Sequence, residues 1–164
     1  MRFYLFSKED FVISVVKSER TNNANICYLA GELEYKIIRM TLNEKYFPKR
    51  SRYVITNKLV EAIMNVSANF YAANSIFPNK EEKLQLREQY QTIGKANLNV
   101  VKHQINLSKR LFNIPSGIIE ELFSTITEIE KMYSNWVKSN KKILNREIKK
   151  QQEKSDSSDS DIEE

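Results

Sequence analysis

Ile119, Leu122, Ile126, Ile129, Tyr133 and Trp136 follow one another at alternating spacings of three and four residues. An α-helix turns once in 3.6 residues, so this run puts every apolar side chain on one stripe; a strand would scatter them over both faces. A helix with a single apolar stripe needs other helices to cover it, which points to an all-α protein. The stripe predicts a helix from near Ser116 to about Lys150, with Ile143, Leu144 and Ile148 continuing it. Composition agrees: three Gly and three Pro are too few for a sandwich of tight turns, and 41% hydrophobic residues are enough for one core.

Three more helices are legible. The first runs from about Ile26 to Tyr46, with Leu29, Leu33, Ile37 and Met40 on its stripe and Tyr35 and Ile38 widening it. Phe47-Pro48 then makes a corner, because proline disfavours the helical conformation behind it and suits a first helical turn. The second helix spans about Arg50 to Asn74 and buries Val54, Leu59, Ile63, Val66, Phe70 and Ala73. After a break containing Pro78, Asn79 reads as the N-cap of a third helix and Glu82 as its reciprocal partner. That helix extends to about Phe112 on Leu86, Tyr90, Ile93, Val100 or Val101, and Ile105. Gly94 within it costs about 1 kcal/mol against Ala, a cost tolerated where a neighbouring helix passes closely. Asn113 to Gly117 is the last corner.

Four long helices joined by short corners alternate in direction, so the expected architecture is an antiparallel up-down-up-down four-helix bundle over residues 26–150. Residues 1–25 form an extension in which a short packed helix competes with a strand, the helix being the better reading. Residues 151–164 read as a disordered acidic tail, since Ser and Asp in that proportion cannot bury a core. No apolar run approaches the ~20 residues of a membrane span, and the one cysteine, Cys27, cannot close an internal disulfide. A cytoplasmic protein with no membrane partner is the expectation.

Catalysis finds little to stand on. Asp is absent between Asp10 and Asp156, His103 is the sole histidine, and Val100 stands where a Glu-x-x-His metal pair would need its carboxylate. There is no glycine-rich phosphate loop. The chain is therefore expected not to be an enzyme, and to hold no metal or cofactor; His103 is expected at the surface and Cys27 in the core.

Charge is the more telling feature. Residues 1–154 carry 26 bases against 16 acids, a net of +10, and a domain so charged attracts polyanions with a strength that falls as salt rises. Lys45 to Lys58 contains no acid and includes Lys49, Arg50, Arg52 and Lys58; Gln89 to Ile119 contains no acid and includes Lys95, Lys102 and Lys109 at heptad spacing, then Arg110. Lys138, Lys141, Lys142 and Arg146 belong to a third basic stretch. These twelve residues are the candidate contacts for RNA, DNA or another polyanion. In an antiparallel bundle the Phe47–Tyr53 corner lies beside Lys109 and Arg110, at one end of a stripe continuing through Lys102 and Lys95. Tyr46, Phe47, Tyr53, Tyr133 and Trp136 fall on apolar stripes and are expected to pack inward. The acidic tail is read as solubilising, or as folding over the basic faces in competition with a polyanion.

The order of Phe47-Pro48-Lys49-Arg50-Ser51-Arg52-Tyr53, Lys95-Ala96-Asn97-Leu98 and Met132-Tyr133-Ser134-Asn135-Trp136-Val137-Lys138 resembles a bacterial four-helix-bundle family over about residues 28–142. That family includes the accessory variability determinant proteins of diversity-generating retroelements and relatives encoded in ribosomal RNA intervening sequences. The resemblance implies a non-catalytic homopentamer that binds nucleic acid and a reverse transcriptase during mutagenic copying of a template RNA. Lys49, Arg50 and Arg52 match the family's corner and Lys138 follows its Trp. The alternative is an oligomeric scaffold of the wider family with no retroelement role.

Overall fold

The computed structural model describes residues 26–159. The helix or strand expected within residues 1–25, and residues 160–164 of the acidic tail, lie outside the described residues. The described chain is all-helical, with four helices and no strand among the described residues. Helix α1 covers residues 26–42, α2 Asn57–Ser75, α3 Glu81–Leu111 and α4 Ser116–Asp159. No described helix is long and apolar enough to cross a membrane.

The core draws on all four helices. Leu33, Ile37 and Met40 of α1 meet Leu59, Ile63, Val66 and Phe70 of α2, Leu98, Val101 and Ile105 of α3, and Ile119, Leu122, Ile126, Ile129 and Trp136 of α4. The α4 stripe is buried as its spacing predicts, Tyr133 being half-buried, and Leu144 extends the buried stripe while Ile148 is exposed. Phe70 is the hub of the aromatic core: its ring lies 5.9 Å from Trp136, edge-on, and 6.2 Å from Tyr133. Gly94 faces the same ring, and a Cβ there would stand 2.6 Å from Phe70 Cδ1 and Cε1. The close approach expected at that glycine is the contact between α2 and α3.

Several expectations change in detail. α3 does not bury Leu86, Ile93 and Val100, which are exposed. Its buried face is Leu84, Arg87, Gln91, Gly94, Leu98, Val101, Ile105 and Ser108, a 3-4 repeat as regular as that of α4 but partly polar. The helix carries two apolar rows, and the seam chosen by packing includes Gly94, where the backbone can approach Phe70. Tyr35 and Val54 are likewise exposed. α2 begins at Asn57 instead of Arg50, because Lys49–Ser51 forms a 3-10 turn and Arg52–Thr56 a π-helical turn. The cap of α3 is Lys80, with no side-chain cap bond, and Asn79 Oδ1 is buried without a partner, so the Asn79–Glu82 capping box does not form. Glu81 and Glu82 still meet the positive end of the helix dipole. α4 continues to Asp159, well into the stretch read as a tail; Gln151 to Lys154 are good helix formers, and Lys149 pairs with Glu153 one turn on at 3.8 Å.

Candidate nucleic-acid interface

The corner between α1 and α2 is built by local hydrogen bonds around one buried aromatic. Asn43 terminates α1: its carbonyl accepts from the N–H groups of Tyr46 and Phe47 at 3.0 and 2.9 Å, and its Oδ1 accepts from Lys45 N–H at 3.1 Å. Phe47 is buried and its ring packs 5.0 Å from that of Phe112, tilted by 56°. The Pro48 carbonyl accepts from both the N–H and the Oγ–H of Ser51, at 2.9 and 2.7 Å, which closes the 3-10 turn. The wider π-helical turn that follows rotates its side chains off the register of α2. As a result Tyr53 is 84% exposed, and the expectation that it packs inward is corrected.

Phe47 against Phe112 brings the end of α3 to the corner, so Lys49 and Arg50 share one end of the molecule with Lys109 and Arg110 in the last turn of α3. Lys58, in the first turn of α2, follows directly, and all five of these side chains are exposed. Arg52 opens the π-helical turn of the same corner. Lys49 reaches Glu44 at 3.2 Å, an exposed ion pair of small energetic weight. Of the two carboxylates in the first turns of α4, Glu120 is exposed and Glu121 is held by Lys36 of α1 at 2.7 Å.

Lys95 and Lys102 behave differently. Both donate to Glu130 Oε1 of α4, at 2.5 and 3.0 Å, and all three side chains are partly buried. Hydrogen bonding from Lys95 holds the Glu130 carboxyl below its usual range against the opposing effect of burial, and Lys102 adds to the lowering. The heptad-spaced lysines of α3 are thus an interhelical clamp around one acid that lies distant in sequence, and the stripe drawn from the corner through Lys102 to Lys95 is interrupted there.

Lys138, Lys141, Lys142 and Arg146 are exposed on the last part of α4. At 1.5 Å per residue, Lys138 stands about 33 Å along the axis from Ser116, so this patch is separate from the corner cluster. The nearby Lys150 is engaged with Glu147 at 2.8 Å.

His103 is exposed. Cys27 is buried, its Sγ–H directed at the Phe70 carbonyl at 3.6 Å, and burial pushes its thiol up to about 11 against the lowering effect of Arg87. No group of three or more His, Cys, Asp or Glu among the described residues is arranged to hold a metal ion.

Two features escaped the sequence pattern. One is Tyr53, an exposed ring that follows Lys49 and Arg50 in the same corner, and an exposed aromatic among cations is the form a base-stacking platform takes. The other is a buried polar group in the half of the bundle opposite the corner: Arg87, Gln91, Trp136 and Asn140. Extending the Leu98–Val101–Ile105 register backwards in steps of three and four lands on Gly94, Gln91 and Arg87, so the signal was present in the spacing. Compared with family models, curated proteins and solved structures, the chain matches none.

Proposed function

We propose that this chain is a non-catalytic, cytoplasmic adaptor that binds nucleic acid through the corner of an antiparallel up-down-up-down bundle. The topology is supported by contacts that pair an early residue of one helix with a later residue of the other: Cys27 of α1 with Phe70 of α2, Gln91 of α3 with Asn140 of α4, and Glu121 of α4 with Lys36 of α1. The observation that carries the function is the exposure, at one end of the bundle, of Lys49, Arg50, Lys58, Lys109 and Arg110 together with Tyr53 of the same corner. Phosphates would meet the cations and an unpaired base the ring, which favours single strands over duplex. The basic patch at Lys138, Lys141, Lys142 and Arg146 would extend the footprint along α4. A reverse transcriptase partner, and a place in a diversity-generating retroelement, rest on the family resemblance described above.

Fluorescence anisotropy with a labelled single-stranded RNA over a range of salt tests the reading. Affinity should fall steeply with salt, and replacing Lys49, Arg50 and Arg52 together by Gln should weaken binding and reduce the slope of log K against log salt by about 2. Unchanged affinity in that variant removes the corner from the interface.

A second reading, an oligomeric scaffold, is favoured by two exposed apolar rows. Tyr28, Tyr35 and Leu42 recur every seven residues on α1, and Leu86, Ile93 and Val100 do so on α3. Beside the first row an open groove of about 590 Å³ runs between α1 and α2, lined by Ile38, Leu42, Val60 and Met64 among others. Two unlike rows, one on α1 and one on α3, suit head-to-tail contact between copies, which forms a ring where the rotation between copies closes; a pentamer rests on the family resemblance. Light scattering decides: a monomer at micromolar concentration ends the oligomeric reading and leaves nucleic-acid binding to be judged on its own.

A further inference from the structure

Residues 1–154 carry a net charge of +10, yet one side of the bundle escapes it. Residues 26–35 of α1 include Glu32 and Glu34 and no base, and residues 59–79, most of α2 and the turn after it, include Glu61 and no base. Cys27 meets Phe70, so the two stretches lie side by side and antiparallel. The cations that border them are directed elsewhere: Lys36 to Glu121 of α4, Arg39 over the Tyr35 ring, and Lys58 at the corner. The carboxylates of Glu34 and Glu61 have no ion-pair partner among the described residues.

Between these helices runs the open groove of about 590 Å³, with Ile38 and Leu42 on one bank and Val60 and Met64 on the other. Glu61 is the one charged side chain that lines it. Steps of three and four residues carry the banks onward, through Tyr35, Gly31 and Tyr28 on α1 and through Ala68 and Tyr71 on α2. Glu34, one turn before Ile38, falls on the side of α1 that faces α2. A Cβ on Gly31 would meet nothing within 4 Å, so the trough stays open there. Tyr28, Tyr35, Leu42, Met64 and Tyr71 are all exposed, and the face from Tyr28 to Leu42 is about 21 Å long. Contiguous apolar surface of this kind marks a binding site.

Shape and charge select the occupant. The main-chain N–H and C=O groups of α1 and α2 are used within the helices, so the face offers no edge on which an extended peptide could pair. A trough between two antiparallel helices receives a third helix, as the inner side of this pair receives α3 and α4. Acids without bases repel a polyanion and attract cations. We propose that the α1/α2 groove is the docking site for a basic amphipathic helix of another protein. The apolar stripe of that helix would lie on Tyr35, Ile38, Leu42 and Met64, while Lys or Arg beside the stripe would reach Glu34 and Glu61. Docking here is independent of nucleic-acid binding at the corner, and it gives the groove an occupant other than a second copy.

Labelled model peptides of about 16 residues, long enough to cover four turns, test it by fluorescence anisotropy on the full chain. One has Leu at spacings of three and four with Lys elsewhere, the second replaces every Lys by Glu, and the third scrambles the Leu/Lys sequence. The scrambled peptide keeps the charge, so it subtracts attraction to the acids at 156–164. The amphipathic Leu/Lys peptide should bind at least about tenfold more tightly than either of the others. Leu42→Gln with Met64→Gln, both at exposed positions, should weaken it by about tenfold while leaving RNA affinity unchanged. Glu34→Lys with Glu61→Lys should reverse the preference toward the Leu/Glu peptide. Equal binding of the amphipathic and scrambled peptides, no binding of either, or a preference that survives the charge reversal overturns the docking site. So does a wild-type oligomer that the Leu42→Gln, Met64→Gln variant converts to monomer in light scattering, since a second copy would then fill the groove.

Discussion

At the corner, Lys49, Arg50, Lys109 and Arg110 keep their charges in water; at the other end of α3, Arg87 carries the same charge into the core. The corner residues sit on turns and helix ends whose backbone is organised by Asn43, Pro48 and the Phe47–Phe112 contact, so their side chains, including Lys49 in its exposed pair with Glu44, add little to stability and lie where a partner can reach them. Arg87 is bound into the packing by the Ile76 carbonyl and Trp136. Lys95 and Lys102 stand between the two extremes, partly buried and tied to Glu130. The contrast teaches that the basicity of this sequence serves three distinct physical tasks, separated by depth.

The contrast can be broken most forcefully from the buried side. Trp136→Ala removes a ring that packs on both Phe70 and Arg87, and should cost about 3–5 kcal/mol in chemical denaturation; a loss under 1 kcal/mol would mean that this end of the bundle is not the packed core it looks. Gly94→Ala drives a methyl into the enclosed Phe70 ring, and overpacking should outweigh the gain in helix propensity, leaving a net loss of about 1–2 kcal/mol. A stabilised Gly94→Ala protein would show that α2 and α3 can separate there.

At intermediate depth, Glu130→Gln should cost about 1 kcal/mol at neutral pH. Because folding lowers the Glu130 pKa, its contribution is present above the ordinary glutamate value of about 4.3 and is lost as pH falls through the lower folded value. Wild type and variant should therefore converge in stability below about pH 4, and parallel curves down to pH 2 would remove the clamp from the account. At the surface, Lys109→Gln with Arg110→Gln should change stability by less than about 0.5 kcal/mol while weakening RNA binding, so a large loss of stability would erase the distinction between the two ends.

Much of this was legible beforehand, and the misses share a cause. The α4 stripe, the corner at Phe47-Pro48, the burial of Cys27 and the close contact at Gly94 all follow from local spacing or from the special chemistry of one residue. In α3 the choice between the row of Leu86, Ile93 and Val100 and the row of Leu98, Val101 and Ile105 was open, because both repeat at helical spacing and only the facing helices select one. The partner of Lys95 and Lys102 was invisible for a related reason: Glu130 lies 35 and 28 residues away, so an acid-free stretch of sequence became an acid-bearing surface on folding.

The sequence alone determined that this chain would be helical, where the corners would fall, and that residues 1–154 would be strongly basic, since these depend on residue type and on periods of three and four. Tertiary structure decided which basic residues remain at the surface, which of two apolar rows on α3 is covered, and that Arg87 lies inside. Those outcomes depend on what each face meets, and a helix leaves several faces that its own sequence does not rank.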